Sequence, residues 1–201
     1  SPQTAVELLG SLQEAFGTSL TACELVSDIS LGLVLRHIPG AQPPLSPSPW
    51  YLLVELSAPS GESALRAGLE GFLEKAFEDG RVSDAVIAQN VGQAGKLWAL
   101  RENISEAEKQ EGISVKHDIS LPISRIDEFL QRAEQALERA FPGVRIVAFG
   151  HIGDGNLHYN PSHPDPAENL VFLAQQPLLD GELCMPVAPP LASVEPAQLL
   201  T

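Results

Sequence analysis

Two histidines lie close together in a segment that reads FGHIGDGNLHYN, residues 149–160. At its centre, Asp154-Gly155 is a dipeptide favoured at a two-residue type I′ turn, so we expect a β-hairpin. In that register His151 lies directly opposite His158, with Cβ atoms about 4.5–5.5 Å apart. Two imidazoles at this separation can bind one metal ion.

The same hairpin carries two amide side chains. Residues two apart in a strand share a face, so Asn156 and Asn160 lie on the side of His158. A structural alternative is that the histidines only cap an edge of the sheet. We favour a metal or catalytic site, because two histidines face each other across a glycine-rich turn. Zinc is usually four-coordinate, so at least one more protein ligand is needed.

The composition argues against some classes of function. The chain has 201 residues, 44% hydrophobic residues and a net charge of −14 with only 12 Lys and Arg. Such a chain can bury one substantial core, and its acidity argues against nucleic acid as a partner. We expect neither a signal peptide nor a membrane-spanning segment. Two cysteines, Cys23 and Cys184, form no motif and favour a reducing compartment.

Hydrophobic periodicity alternates between helix and strand along most of the chain. We expect an α+β fold, in which helices cover one face of an antiparallel or mixed sheet. Thr4 and Ser124 are the expected caps of two helices. A proline-rich, irregular tail is expected over residues 176–201, after one domain over residues 1–175. Besides the hairpin, the predicted strands are 22–26, 50–56, 82–89 and 113–123, and the predicted helices are 4–16, 28–37, 60–79, 91–111, 124–141 and 167–175.

Three segments resemble the C-terminal part of the FAD-linked 2-hydroxyacid dehydrogenases and oxidases. They are the hairpin segment, LWALRE at residues 97–102 and KHDISLP at residues 116–122. The resemblance covers roughly residues 20–175 and is strongest to the D-2-hydroxyglutarate dehydrogenases within that family. It implies a ferredoxin-like sheet covered by helices, the C-terminal substrate domain of FAD-linked oxidases.

The resemblance implies a role for Arg101 that its surroundings alone do not. Considered alone, Arg101 is a solvated charge on the predicted helix, paired with Glu102 or Glu106. In the family an arginine at this place binds a substrate carboxylate, a task that suits the forked guanidinium. Ser105, four residues on and on the same helix face, is implied as a neighbouring hydroxyl contact.

Lys116 is, by the same resemblance, a second cation for the substrate. Considered alone it is a surface lysine, and Asp118 either holds it or is itself solvated. Two cations suit a dicarboxylate such as 2-hydroxyglutarate better than a monocarboxylate such as lactate. The resemblance further implies that Asn160 hydrogen-bonds the acid and that Asn156 binds the cofactor, whereas His117 is expected to be structural.

The implied reaction is oxidation of a D-2-hydroxyacid to a 2-oxoacid, with FAD as the hydride acceptor. A divalent metal, expected to be zinc, would be held by His151 and His158 and would lower the pKa of the substrate hydroxyl. Electrons would then pass to an acceptor protein or a quinone. The implied compartment is a bacterial cytoplasm or the mitochondrial matrix, and the resemblance leaves a homodimer open.

Two parts of the family pattern are not found in the sequence. There is no glycine-rich loop for the FAD pyrophosphate, and no Glu-His pair, which in the family supplies a further metal ligand and the general base. Glu182 or Glu195 could replace the ligand, but nothing around either supports this. We therefore assign no catalytic residue and expect a substrate- and metal-binding portion that is inactive alone. The alternatives are a truncated non-catalytic module, a D-lactate or glycolate dehydrogenase, and a metal-only hydrolase.

Overall fold

A five-stranded antiparallel sheet forms the centre of the fold in the computed structural model, which describes residues 1–59 and 61–184. Its strands are β1 (Leu20–Ser27), β2 (Trp50–Leu56), β3 (Asp118–Ser120), β4 (Arg145–His151) and β5 (Asn156–Ser162). They lie side by side in the order β2-β1-β4-β5-β3. The helices are α1 (Pro2–Phe16), α2 (Asp28–His37), α3 (Glu62–Glu78), α4 (Val91–Glu102), α5 (Ile104–Glu111), α6 (Ile126–Ala140), α7 (Asn169–Ala174) and α8 (Gln176–Cys184).

Helices pack on both faces of this sheet. On one face α1 and α6 enclose a core that includes Leu25 and Tyr159. On the other face α2 and α5 pack against Val26 and Phe149. The α+β class is confirmed, but the prediction of helices on one face only is wrong. The cause lies in β1, whose last five residues are all buried, as in strands covered on both sides.

The first helix and the helix that packs beside it begin differently from the prediction. Ser1 caps α1 by accepting a hydrogen bond from the Thr4 backbone N–H at 3.2 Å, so Thr4 is not the cap. Ser124 lies in a short 3₁₀ turn and does not cap α6. Asp127, in the first turn of α6, instead accepts from the Gln3 backbone N–H at 2.9 Å. This hydrogen bond joins the starts of the two helices.

Between α3 and β3, one predicted element is wrong and another is interrupted. In the described chain, residues 82–89 pair with no strand, and Arg66 of α3 donates to the Ala88 carbonyl at 2.8 Å. The predicted helix over residues 91–111 is broken at Asn103 into α4 and α5. The Asn103 side chain donates to the Ala99 carbonyl at 2.7 Å, a local bond through which asparagine competes with regular helix.

The segment predicted as a strand over residues 113–123 pairs over a shorter length. Only β3 and an isolated bridge between Ser114 and Ser162 join it to the sheet. The predicted alternation is confirmed all the same, because Val115 and Leu121 are buried and Lys116 is exposed. The polar face of this segment is therefore available to form a site.

The first residues of the segment predicted as an irregular tail, 176–201, form a helix. Helix α8 covers its first residues, and Leu179 is fully buried in the same core as α6. Pro177 lies in the first turn, where proline removes no helical hydrogen bond. His117 Nε2 lies 2.8 Å from Asp180 Oδ1 on α8. Residues 185–201 lie outside the described residues. No helix in the described part of the chain is long and apolar enough to cross a membrane.

The hairpin of β4 and β5 has a longer loop than the predicted two-residue turn. Phe149 is the register partner of His158, and the loop spans residues 152–155. The predicted register, with His151 opposite His158, is therefore wrong by two residues. Because side chains alternate with a period of two, the shift keeps both histidines on one face, as diagonal neighbours.

The loop is fixed by contacts that a two-residue turn would not make. Asp154 Oδ1 accepts a hydrogen bond from the Asn156 backbone N–H at 3.1 Å. The Gly155 carbonyl accepts from the Leu121 N–H at 3.1 Å, which ties the loop to the end of β3. Gly155 has a φ of +77°, and a Cβ on it would lie 2.0 Å from the Leu121 carbonyl oxygen. The position therefore accepts glycine only.

We predict that Gly155→Ala lowers the free energy of unfolding by about 3 kcal/mol, from left-handed backbone strain and the clash with the Leu121 carbonyl. Gly143→Ala is the matched control. Gly143 also has a positive φ, +81°, but a Cβ there would have no neighbour within 4 Å. The control should cost only the backbone strain, about 1 kcal/mol. Equal losses in urea unfolding would contradict the proposed close approach.

Candidate functional site

Two carboxylate–histidine pairs lie across strands on one face of the sheet. Glu24 on β1 is the register partner of His151 on β4, and its Oε1 lies 2.9 Å from His151 Nδ1. Asp118 on β3 is the register partner of His158 on β5, and its Oδ1 lies 2.6 Å from His158 Nδ1. An ionised carboxylate only accepts, so Nδ1 is the donor in each pair, and in a neutral imidazole the lone pair is then on Nε2.

The two pairs differ in their exposure to solvent. The Glu24 side chain is 7% exposed and the Asp118 side chain is 80% exposed. His151 and His158 are 36% and 40% exposed, so both imidazoles can be reached from solution. The carboxylate of the first pair, Glu24, is therefore buried, whereas that of the second pair, Asp118, is at the surface.

Arg101, in the last turn of α4, reaches the same buried carboxylate. Its Nε donates to Glu24 Oε2 at 2.7 Å, and its Cζ lies 4.6 Å from the centroid of the Phe149 ring, a cation–π contact. The side chain is 19% exposed. Arg101 is thus neither solvated nor paired with Glu102 or Glu106, the partners suggested by its sequence neighbours.

Phe149 connects the arginine to the second histidine. Its ring centroid lies 4.7 Å from that of His158, its partner across β4 and β5. Arg101 and His158 therefore contact the same aromatic ring. We call this group the histidine cluster; its members are Glu24, Arg101, Asp118, Phe149, His151 and His158.

A second buried carboxylate, Glu108 on α5, holds Lys116. Glu108 Oε2 accepts from Lys116 Nζ at 2.7 Å, and Glu108 Oε1 accepts from Ser114 Oγ at 3.2 Å. The Asn160 amide donates to both carboxylate oxygens, at 3.0 and 3.2 Å. Glu108 is 3% exposed, and these donors compensate for the burial of its charge. The predicted contact of Lys116 with Asp118 is absent among the described residues, where Asp118 pairs with His158 instead.

Asn160 is more enclosed than the sequence suggested. It is 3% exposed, and its Oδ1 accepts from the His117 backbone N–H at 3.2 Å. A direct hydrogen bond from Asn160 to a ligand would require its amide to leave Glu108. Glu108 and the residues that bond it nevertheless adjoin the histidine cluster, because Asn160 and His158 are two apart on β5 and share a face.

Residues 1–170 match the family model described as FAD linked oxidases, C-terminal domain. The chain belongs to this family. It is 37% identical over 170 residues to "D-2-hydroxyglutarate dehydrogenase, mitochondrial" of Arabidopsis thaliana, an alignment that covers 84% of this chain and 30% of the relative. It is 41% identical over 156 residues to "D-2-hydroxyglutarate dehydrogenase" of Xanthomonas citri pv. viticola, covering 77% and 32%.

A vertebrate relative is similar over the same region. The chain is 32% identical over 164 residues to "D-2-hydroxyglutarate dehydrogenase, mitochondrial" of Danio rerio, covering 81% of this chain and 30% of the relative. The chain therefore spans about a third of the length of the curated relatives it matches. The family membership and the predicted fold are confirmed together, since the mixed fold is the one expected of an FAD-oxidase C-terminal domain.

Two predicted site residues of this FAD-oxidase domain are exposed and are not members of the histidine cluster. Ser105 lies on α5, beyond the break at Asn103. Asn156 lies at the start of β5, two residues before His158 and on the same sheet face. Their assigned roles, a substrate contact for Ser105 and a cofactor contact for Asn156, stay predictions.

A divalent metal would find two imidazole donors in the histidine cluster. In residues 1–59 and 61–184, no group of three or more His, Cys, Asp or Glu side chains is placed to hold a metal ion. The two imidazoles do fit, because a ligating histidine usually gives its other N–H to a carboxylate. Cys23 does not, since burial and the nearby Glu24 charge raise the pKa of its thiol to about 12. Glu195 and the Glu182 side chain lie outside the described residues.

Sequence reasoning missed Glu24 and Glu108. Glu24 had a usable signal, because it is the one charged residue in the segment LTACELVS that forms β1. A lone acid in a buried strand needs a cationic partner. Glu108 had no such signal, since it is one of three glutamates in α5 and periodicity does not identify its buried partners.

A third carboxylate beside this site is surrounded by cations. Glu111 of α5 pairs with Arg36 and His37 of α2 and with Arg145 of β4. Burial works to raise the pKa of the Glu111 carboxyl, but hydrogen bonds from His37 and Arg145, with the Arg145 charge, outweigh it. The pKa falls from 4.5 to about 2. Glu111 thereby links α2, α5 and the sheet.

We predict that Glu111→Gln lowers stability at pH 6 and that its deficit relative to wild type shrinks as the pH falls from about 4.5 toward 2. In that window the unfolded carboxyl takes up a proton and the folded one does not, so the wild type loses this contribution. Glu106→Gln, which changes an exposed residue of the same helix, is the control and should alter stability little, because its partner is a surface lysine. Urea unfolding at several pH values measures both, and parallel profiles for wild type and Glu111→Gln would contradict the pairing.

Proposed function

We propose that this chain is the substrate- and metal-binding portion of an FAD-dependent D-2-hydroxyacid dehydrogenase, with D-2-hydroxyglutarate as the substrate. The observation that carries the proposal is the histidine cluster, in which Arg101 and two carboxylate-bound imidazoles share one sheet face. The names of the relatives support this substrate. The matched region is about a third of their length, and we place the flavin-binding part outside it.

Arg101 and Lys116 would bind the two carboxylates of the acid. Arg101 uses Nε for Glu24, and within the described residues its terminal Nη atoms have no hydrogen-bond partner. This leaves the Nη1/Nη2 edge, which suits a bidentate carboxylate. Lys116 gives one donor to Glu108, and an ammonium has three, so it retains donors for a second carboxylate. Each cation is held in place by an acid that is itself buried.

His151 and His158 would hold the divalent metal, for which we propose zinc, through their Nε2 atoms. A bound metal supplies Lewis acidity, which lowers the pKa of the substrate hydroxyl. Glu24 and Asp118 would accept hydrogen bonds from the Nδ1–H groups of the two histidines, which leaves the Nε2 lone pairs for a metal. We assign the general base to none of the described residues. FAD would take the hydride, and an acceptor protein or a quinone would reoxidise it, in a mitochondrial matrix or a bacterial cytoplasm.

We predict that Lys116→Gln weakens D-2-hydroxyglutarate binding by about tenfold or more, because a hydrogen bond to a charged group contributes ~1.5–3 kcal/mol. D-lactate has no second carboxylate, so its binding should change little. Arg101→Lys keeps a charge for Glu24 but removes the guanidinium fork, and it should weaken both acids. Titration calorimetry of the 201-residue chain with Zn²⁺ present measures these affinities.

Lys109→Gln is the matched control for this prediction. Lys109 is an exposed lysine of α5 that pairs with Glu106. It belongs neither to the histidine cluster nor to the residues that bond Glu108. It should bind D-2-hydroxyglutarate as the wild type does. A wild type that gives no heat with either acid would refute the substrate proposal, and equal weakening of D-lactate by Lys116→Gln would refute the dicarboxylate.

A further inference from the structure

We propose that Glu24 is the positioning residue of this site, which holds Arg101 and His151 with one carboxylate and fixes the tautomer of His151. The inference rests on the proposed function, because the roles of Arg101 in carboxylate binding and of His151 in metal binding are part of that proposal. The contacts themselves do not depend on that function. Glu24 would not touch the substrate and would act through its two partners.

The two oxygens of Glu24 are divided between these partners. Oε2 accepts from Arg101 Nε at 2.7 Å, and Oε1 lies 2.9 Å from His151 Nδ1. The residue is 6% exposed, so the carboxylate has little access to water. A buried carboxylate is costly unless donors surround it, and breaking such a pair is more damaging than losing a surface ion pair. Both bonds are therefore expected to persist in solution.

The backbone fixes the position of this carboxylate. Glu24 lies in β1, which pairs with β2 on one side and with β4 on the other. Its neighbours Cys23 and Leu25 are 1% exposed and belong to the core on the opposite sheet face. The side chain of Glu24 is thus directed to the face that carries His151, and a rotation of the strand would expose two core residues.

The hold on Arg101 selects the edge of the guanidinium that remains available. Glu24 takes Nε, and the Phe149 ring lies under the guanidinium at 4.6 Å from Cζ. These two contacts fix the guanidinium on one edge and one face. The edge formed by the two Nη atoms is the one left for a ligand carboxylate.

The hold on His151 selects the nitrogen that can bind a metal. With Nδ1–H donating to Glu24, Nε2 has a free lone pair. The ring also lies against the hairpin loop, where a Cβ on Gly153 would come within 3.0 Å of Nε2. Glu24 and the loop therefore orient His151 from two sides.

Glu24→Gln tests the tautomer, because it changes one hydrogen-bonding atom and keeps the shape. Two donors cannot face each other, so the new carbonyl oxygen must accept from Arg101 Nε and the new amide must donate to His151 Nδ1. The imidazole proton then moves to Nε2, which must lose that proton before it can bind a metal. Long-range nitrogen-15 NMR at about pH 8.5, above the ordinary histidine pKa of about 6.5, distinguishes the two tautomers. His151→Asn assigns the signal.

We predict that the wild type shows the Nδ1–H tautomer at His151 and that Glu24→Gln shows the Nε2–H tautomer. Zn²⁺ affinity, measured with Zn²⁺ alone by competition with a chelator, should fall about 10- to 100-fold in Glu24→Gln. Glu55→Gln is the matched control. Glu55 on β2 accepts from Trp98 Nε1 of α4 at 2.7 Å, so the same substitution disturbs the same helix without touching the histidine cluster. It should leave the tautomer and the Zn²⁺ affinity unchanged.

The two readouts separate this inference from the proposed function. An Nε2–H tautomer of His151 in the wild type, or an unchanged tautomer in Glu24→Gln, overturns the role of Glu24. The wild-type spectrum tests this role even if the variant does not fold. A wild type whose Zn²⁺ binding is unaffected by His151→Asn overturns the metal proposal instead. In that case the tautomer change in Glu24→Gln would still support the positioning role.

Discussion

The burial of the Glu24 carboxylate, which projects from β1 beside His151 of β4, constrains how α4 packs on the sheet. Helix α4 has no buried residue along its 12 positions, so apolar packing alone does not fix it. Its attachments include two directed polar contacts, from Trp98 to Glu55 and from Arg101 to Glu24. A charge taken from water must keep its partner, and this requirement holds the last turn of α4 beside the histidines. The candidate site thus depends on an electrostatic demand of the core.

The same principle recurs along this face of the sheet. Glu24, Glu108 and Glu111 each bind at least one cation, and two of them are nearly inaccessible to solvent. The chain carries 12 Lys and Arg against 26 Asp and Glu, so a concentration of cations at one place is informative. The acids determine where these cations lie. The cations that contact the three acids through ion pairs are Arg36, Arg101, Lys116 and Arg145.

Periodicity and composition predicted most elements, because amphipathic spacing directly reflects burial. The helix over residues 28–37 and the strand over residues 50–56 are confirmed at both ends. The hairpin register was not predictable, since Asp154-Gly155 by itself favours a tight two-residue turn. The longer loop is stabilised by a hydrogen bond to Leu121, which is distant in sequence. The two histidines still share a face, because a register error of two residues preserves the alternation.

The partners of the site residues were beyond sequence reasoning for a different reason. The sequence neighbours of Arg101 suggested a partner in its own helix, whereas its carboxylate partner, Glu24, lies 77 positions away on β1. To predict this ion pair, one would need to know both the strand order and the position of α4 on the sheet. Neither can be read from the local sequence pattern. The break at Asn103 was also hidden, since the residues around it continue a helical stripe. Resemblance to a family suggested Arg101 and Lys116 as candidate site residues, but not the acids that hold them.

The break at Asn103 separates the helix that carries Arg101 from the helix that holds Lys116. Arg101 belongs to α4, and Glu108, which holds Lys116, belongs to α5. The backbone of Lys116 lies in neither helix, because the residues beside it are hydrogen-bonded to β5. The side chain of Asn103, at the junction of the two helices, bonds the Ala99 carbonyl at 2.7 Å. A change in the angle between α4 and α5 would therefore move Arg101 relative to the Glu108 carboxylate, while the backbone of Lys116 stays with the sheet.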